Sequence, residues 1–199
     1  MNRLRCFLMI LSVTIATSYS QSIGWSLVNA KLRSEFPDVR RVTTSELADS
    51  LGNKNRPVLL DVRTKAEFAV SHLDGAIRVE PGSDATAISI PRNKAIVTYC
   101  SVGYRSAAFA KKLGQAGYGN VTNLEGSIFR WANENRPLAH DGQQTDKVHP
   151  YNSVWGMLLD KSHRAADPKN GNSATSRTAE RHYSPHATTP QGKKPGRPL

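Results

Sequence analysis

Residues 94–118 read KAIVTYCSVGYRSAAFAKKLGQAGY, and the fold class follows from them. Residues 94–100 form a short apolar run that is typical of a buried strand. Residues 105–117 predict a helix, because Phe109 and Leu113 fall on one face and a glycine follows the last turn. A buried strand followed at once by a helix predicts an α/β unit.

The same alternation of strands and helices continues on both sides of this unit. Thr43 and Glu46 have the spacing of a capping box, which predicts a helix that ends at Gly52. The other predicted elements are strands at 57–61, 76–80 and 120–126 and short helices at 64–75 and 127–138. This order predicts an α/β domain with a central, mainly parallel sheet flanked by helices on both faces, a three-layer arrangement.

The first 20 residues, 1–20, have the pattern of a secretory signal peptide. Positive residues at Arg3 and Arg5 precede an apolar run at 6–16. Small residues then lead to a predicted cleavage point near Ser20. Since the apolar run is short for a transmembrane helix, we expect an exported protein, periplasmic or secreted, with no stable membrane span. The alternative is an N-terminal membrane anchor that is not cleaved.

Two extensions flank the predicted domain, which we place at 42–138. The extension at 21–41 has apolar residues at helical spacing and predicts an amphipathic helix; these residues are Trp25, Val28, Leu32 and Phe36. The extension at 139–160 is expected to pack back onto the domain through Tyr151, Trp155, Leu158 and Leu159.

The formal net charge is +11, from 27 Lys and Arg against 16 Asp and Glu. Much of it lies in residues 161–199, which hold eight basic and two acidic residues and few large apolar ones. This composition is typical of a basic, disordered tail. The predicted domain has no basic face interleaved with aromatic residues, so we expect no nucleic-acid binding. The histidines of the tail lack metal-ligand spacing, so we expect no metal site and no cofactor; they are His163, His182 and His186.

Cys100 is the cysteine that remains when the predicted signal peptide is removed. The other cysteine, Cys6, lies in the predicted signal peptide. Cys100 would then be unpaired in a compartment where disulfides form. Such a thiol is either deeply buried, as a small hydrophobic residue, or retained for its reactivity.

The predicted position of Cys100 favours a reactive thiol. In an open α/β sheet, ligands bind outside the carboxyl ends of the strands. The amides and the positive end of the following helix lower the pKa of a thiol there and hold an anion. Gly103 allows the backbone to turn tightly, and Arg105 adds a positive charge at the rim.

Four stretches of this sequence, in this order, resemble the single-domain rhodaneses. They are LLDVRTKAEF at 59–68, HLDGAI at 72–77, CSVGYRS at 100–106 and NLEGSIFRW at 123–131. The resemblance spans about residues 42–138. The segments before and after it also resemble extensions of some exported members of the family.

The resemblance implies a sulfurtransferase without a cofactor. Cys100 would attack a sulfane sulfur donor, such as thiosulfate or a persulfide, and carry the sulfur as a persulfide. Cyanide, a thiol or a protein would accept the sulfur. The implied cradle for the sulfur and the donor consists of the amides of Ser101, Val102, Gly103, Tyr104 and Arg105. Asp61 and Arg63 match positions that brace this loop. More structural roles are implied for Glu67, His72 and Gly75, and a general base is the alternative role for His72.

Several alternatives stay open at this stage. Members specialised for thiosulfate carry further basic residues directly after the cysteine, whereas this chain has Ser101 and Val102. A persulfide or a partner protein is therefore an alternative donor. Phosphatases and arsenate reductases of related fold place the arginine one residue further from the cysteine. Four residues separate Cys100 and Arg105, which favours a sulfur-sized pocket. The non-enzyme alternative is a binding module or a redox sensor.

Overall fold

The structure is a computed structural model that describes residues 21–166. The predicted signal peptide, 1–20, and most of the predicted tail, 167–199, lie outside the described residues. Within residues 21–166, no helix is both long enough and apolar enough to cross a membrane.

Helices and strands alternate along the described part of the chain. The helices are α1 (21–35), α2 (Thr44–Leu51), α3 (Lys65–Val70), α4 (Tyr104–Gln115) and α5 (Ser127–Asn133). The strands are β1 (Arg41–Val42), β2 (Val58–Asp61), β3 (Ile77–Arg78), β4 (Ile96–Tyr99), β5 (Val121–Leu124), β6 (Leu138–His140) and β7 (Gln143–Thr145). Short 3₁₀ helices cover Ala85–Ala87, Trp155–Leu158 and Lys161–His163.

Strands β1 to β5 form a parallel sheet in the order β1-β5-β4-β2-β3. This confirms the predicted α/β class with a mainly parallel central sheet flanked by helices. From β2 the chain continues outward to β3, whereas from β4 it continues to β5 on the other side. The order therefore reverses between β2 and β4, which is where open α/β sheets bind ligands. Asp61 and Tyr99, the last residues of β2 and β4, pair across this point.

Side-chain caps start two of the helices at the positions that the sequence indicates. Thr43 and Glu46 form the predicted capping box of α2, in which each side chain bonds the backbone N–H of the other residue. Thr64 and Glu67 form a second box at the start of α3. Each box satisfies N–H groups that the helix itself leaves without partners.

Helix α1 contributes to the hydrophobic core. Val28 and Leu32, on its predicted apolar face, are 7% and 2% exposed. Phe36 follows the helix and packs edge-on against Tyr104 at the start of α4, with the ring centroids 5.3 Å apart. The helix is thus packed beside the loop that leads into α4.

The segment after α5 returns to the domain. Strands β6 and β7 pair antiparallel, and a bridge between His72 and Ala139 attaches this ribbon to the chain after α3. Further on, Asn133 holds the chain with both atoms of its amide. Its Nδ2 donates to the carbonyl of Leu158 and its Oδ1 accepts from the N–H of Asp160, both at 2.9 Å.

The packed part of the chain extends past residue 160, where the sequence predicted that a disordered tail begins. His163 is buried, and its Nδ1 lies 2.9 Å from the carbonyl oxygen of Asp146. Arg164 donates from Nε and Nη2 to the carbonyl of Leu159, at 2.9 and 2.8 Å. Residues 161–166 therefore belong to the folded unit, because their polar groups find backbone partners there.

We expect Leu32→Ala to lower the free energy of unfolding by about 2–5 kcal/mol, because it leaves a cavity between α1 and the core. Leu27→Ala, on the same helix, should change it by less than about 0.5 kcal/mol, since Leu27 is 67% exposed. Urea denaturation at pH 7 compares the two variants. Equal small effects would mean that α1 does not contribute to the core.

Candidate active site

Cys100 directly follows β4, at the reversal of strand order. The residue is buried, with 1% of its surface exposed. A short loop, 100–103, joins the strand to helix α4. The thiol therefore lies at the carboxyl end of the sheet and at the N-terminal end of α4, as the sequence predicted.

The loop turns the backbone N–H of Gly103 towards the thiol. This N–H donates to Cys100 Sγ with a donor–acceptor distance of 3.2 Å. Gly103 has φ 111° and ψ −8°, in the left-handed half of backbone space, which side-chain-bearing residues rarely adopt. A Cβ atom at this position would lie 3.3 Å from Leu32 Cδ1 of helix α1. Glycine is therefore favoured here by conformation, and a side chain would also require Leu32 to shift by a few tenths of an ångström.

The surroundings of Cys100 lower its pKa. Burial acts against this, because it disfavours the charged thiolate. The positive charge of Arg105, hydrogen bonds from the Ser106 hydroxyl and amide, and the Gly103 amide outweigh burial. The lowered pKa increases the proportion of the thiolate, which is the nucleophilic form.

The backbone of the loop is fixed by helix α5. The N–H groups of Ile128 and Phe129 donate to the carbonyls of Cys100 and Ser101, each at 3.2 Å. On the other side of the cysteine peptide, the N–H of Cys100 donates to Ser127 Oγ at 3.2 Å. These bonds leave the thiol little freedom to move relative to the sheet.

Glu67 of α3 lies at the centre of a buried polar network. It accepts two hydrogen bonds from Arg105, from Nη1 to Oε2 at 2.9 Å and from Nη2 to Oε1 at 2.7 Å. The Ser101 hydroxyl donates to Glu67 Oε1 at 2.8 Å and accepts from Arg105 Nη2 at 3.0 Å. The N–H and the hydroxyl of Thr64 donate to Oε2. One carboxylate therefore links the cap of α3, the cysteine loop and the first turn of α4.

This network keeps Glu67 ionised. Burial raises the pKa of Glu67. Arg105, Arg63 and the Thr64 N–H lower it by a larger amount, so the pKa falls from 4.5 to about 2. In return, Glu67 and the nearby thiolate raise the pKa of Arg105 against the effect of burial. Arg105 is therefore a cation whose charge is already paired.

Asp61 and Arg63 form a second ion pair below the loop, and both side chains are fully buried. Arg63 Nε donates to Asp61 Oδ1 at 2.9 Å and Nη2 to Oδ2 at 2.6 Å. Arg63 Nη2 also donates to the carbonyl of Ser71 at 2.5 Å. The Arg63 guanidinium lies 5.8 Å from the ring centroid of Tyr99, the residue before Cys100. The ion pair therefore supports the end of β4, directly before the cysteine loop.

The other residues singled out from the sequence lie at the edge of the site or away from it. Val102 is buried in the loop, whereas the side chain of Tyr104 turns towards α1 and donates to Glu35. His72 stacks on Phe68, with ring centroids 4.0 Å apart, and supports the local backbone.

Gly75 has φ 72° and forms the predicted turn before β3. Of the three tail histidines, His163 is part of the fold, and His182 and His186 lie outside the described residues. In residues 21–166, no group of three His, Cys, Asp or Glu side chains has a metal-binding arrangement.

The sequence did not indicate how four residues contribute to the site. Glu67 was assigned only a structural role. Ser106, Ser127 and Asn123 were not singled out, although Asn123 Nδ2 donates to the carbonyl of Gly103 at 3.0 Å. The Thr64–Glu67 capping spacing is visible in the sequence and was the available signal for a fixed carboxylate. No local pattern indicates Asn123 and Ser127, because they come from β5 and α5, whereas Ser106 lies within the quoted stretch at 100–106.

The fold and this geometry define a class of protein: a parallel α/β domain with an activated cysteine at the reversal of strand order. A sequence profile described as the Rhodanese-like domain matches residues 43–134. A sulfurtransferase of Allochromatium vinosum is 33% identical over 101 residues, which cover 50% of this chain and 94% of that protein. The chain therefore belongs to the rhodanese-like domain family and is homologous to sulfurtransferases.

Longer proteins contain the same domain. The probable adenylyltransferase/sulfurtransferase MoeZ of Mycobacterium tuberculosis is 31% identical over 99 residues, which cover 48% of this chain and 25% of that protein. This chain thus spans about a quarter of that relative. The crystal structure of a thiosulfate sulfurtransferase from Pseudomonas aeruginosa has a TM-score of 0.50 at 20% identity. It covers 69% of this chain and 26% of that one, and it shows the shared fold.

We expect Glu67→Gln to remove roughly 3 kcal/mol of stability at pH 7, from the lowering of the pKa from 4.5 to about 2. Because the folded-state pKa is depressed, this contribution is present above pH 4.5 and disappears as the pH falls from 4.5 to 2. Urea denaturation at pH 7, 4.5 and 3 measures the difference between wild type and variant. Asp49→Asn, on the exposed surface of α2, is the control. If the difference in free energy of unfolding between wild type and variant does not shrink in acid, Glu67 is not ionised in the folded state.

We expect Gly103→Ala to destabilise the fold by about 1–3 kcal/mol, because alanine is strained at φ 111° and its methyl group would press on Leu32. Gly114→Ala is the matched control, since Gly114 lies in α4 with no atom within 4 Å of an added Cβ. It should stabilise by about 0.5–1 kcal/mol. Thermal unfolding compares the two. A neutral Gly103→Ala would show that the loop tolerates another backbone conformation.

Proposed function

We propose that the protein is a sulfurtransferase that carries a sulfur atom on Cys100. The supporting observation is the thiol itself, which is held at the reversal of strand order, accepts the Gly103 N–H at 3.2 Å and has a lowered pKa. Homology to sulfurtransferases points to the same chemistry. A thiolate held by backbone donors is suited to nucleophilic catalysis.

The proposed reaction has two steps. In the first, the Cys100 thiolate attacks the outer sulfur of the donor, and a bond forms between Sγ and that sulfur. The sulfur–sulfur bond of the donor breaks, and its electron pair leaves with sulfite, from thiosulfate, or with a thiol, from a persulfide. In the second step, cyanide or a thiol attacks the outer sulfur of the Cys100 persulfide, and Sγ leaves as the thiolate.

The surrounding residues have separate roles in this proposal. The amides of the loop, from Ser101 to Arg105, hold the transferred sulfur and the negative charge that develops on it. Arg105 favours the thiolate, while Glu67 fixes the position of Arg105. Asp61 and Arg63 support the end of β4. The acceptor is a small thiophile or a protein thiol, and export through residues 1–20 stays a prediction.

We expect intact-mass spectrometry of the full chain, after incubation with thiosulfate or benzyl persulfide, to show the gain of one sulfur atom. Cyanide should remove it. Cys100→Ser should gain none, because serine forms no persulfide. Cys6→Ser, which removes the other cysteine, is the matched control and should gain sulfur as the wild type does.

Two results would decide against the proposal. Sulfur uptake by Cys100→Ser would place the persulfide elsewhere. If neither donor adds sulfur to the wild type, but mild peroxide oxidises Cys100 reversibly, the chain would be a redox sensor instead.

A further inference from the structure

A closed loop of the C-terminal extension reaches the cysteine site. The loop begins and ends at a bridge between Val148 and Arg164, where the N–H of Val148 donates to the carbonyl of His163 at 2.7 Å. The N–H of Ala165 donates back to the carbonyl of Val148 at 2.9 Å. This loop follows the part of the chain that matches the family, 43–134.

Tyr151, within this loop, covers the guanidinium of Arg105. The Cζ atom of Arg105 lies 4.6 Å from the centroid of the Tyr151 ring. This distance is well inside the range of a cation–π contact. Arg105 therefore donates its N–H groups to Glu67 and Ser101, while its guanidinium carbon lies over the Tyr151 ring.

Tyr151 is held in an unfavourable backbone conformation. Its φ is 64°, in the left-handed region that a bulky aromatic residue seldom adopts. Its N–H donates to His149 Nδ1 at 3.0 Å. A strained residue persists only where its surroundings fix it, and strain of this kind is concentrated at functional sites. Together with the ring contact, this indicates that the position of the Tyr151 side chain matters.

The contact changes the charge and the apolar surface that a sulfur donor encounters at the site. Arg105 is paired with Glu67, and the two residues after the cysteine, Ser101 and Val102, carry no charge. The Tyr151 ring, in contrast, belongs to a residue that is 41% exposed, and so offers aromatic surface to solvent. The groups next to the thiol thus offer little excess positive charge and a ring on which an organic group can pack.

We propose that Tyr151 is a specificity-determining residue of the Cys100 site, and that it favours sulfur donors with an organic group, alkyl or aryl persulfides, over the thiosulfate dianion. This inference rests on the proposed function. An organic group gains contact with the ring, whereas a dianion loses water without gaining an unpaired cation. The extension, rather than the shared domain, sets this preference.

The test compares Tyr151→Asn and Tyr151→Phe in the full chain. Asparagine tolerates the left-handed region, so it removes the ring without adding backbone strain. We expect Tyr151→Asn to lower kcat/KM for benzyl persulfide about five- to tenfold and, because it uncovers Arg105, to raise that for thiosulfate about two- to fivefold. Tyr151→Phe keeps the ring and should stay within about twofold of wild type for both. Equal changes for the two donors, or a phenylalanine variant that behaves like asparagine, would overturn the proposal.

A second readout does not depend on sulfur transfer. Iodoacetamide and iodoacetate alkylate the Cys100 thiolate, and they differ in charge. Removal of the ring exposes the face of Arg105, so Tyr151→Asn should raise the iodoacetate-to-iodoacetamide rate ratio about two- to fivefold. Val154→Ala, on the same loop and 62% exposed, should leave the ratio unchanged. If the wild type takes sulfur from no donor, the proposed function fails. The alkylation rate ratio then tests by itself whether Tyr151 controls access to Arg105, and an unchanged ratio in Tyr151→Asn overturns that role.

Discussion

The carboxylate of Glu67 is the group on which the site depends. A buried negative charge is costly unless it is paired and hydrogen-bonded, and here Arg105, Ser101 and Thr64 all donate to it. Each of these donors belongs to a different part of the fold: the first turn of α4, the cysteine loop and the cap of α3. Because the charge cannot be left without these partners, it holds the three parts in one arrangement.

The state of Cys100 follows from this arrangement. Burial alone would protonate the thiol and leave it a small hydrophobic residue. The positive charge of Arg105 reverses that balance, and Arg105 stays in place because Glu67 binds it at two points. The reactivity of the thiol is thus coupled to a carboxylate that lies 33 residues earlier in the chain and does not itself touch the reacting atom in the proposed mechanism.

The parts of the fold that could be predicted are those with local signals. The alternation of apolar runs and helical spacing predicted where strands β2 to β5 lie along the chain, and the capping residues predicted the start of α2. The two-residue strand β1 was missed, because a strand this short has no periodicity. The pairing of Glu67 with Arg105, across 38 residues, was missed because it depends on how α3 and α4 are placed by the sheet. Spacing predicts neighbours along one element and not across elements.

The two extensions lie outside the family match at 43–134, yet both reach the cysteine loop. From the N-terminal side, Leu32 Cδ1 lies 3.3 Å from the place of a Cβ atom at position 103. From the C-terminal side, Tyr151 covers the cation next to the thiol. The shared domain supplies the sheet, the loop and the ion pairs, and its groups lower the pKa of the thiol. Part of the surroundings of that thiol comes from Leu32 and Tyr151, which lie outside the family match, so under the proposed function the choice of donor is better sought in these segments than in the shared domain.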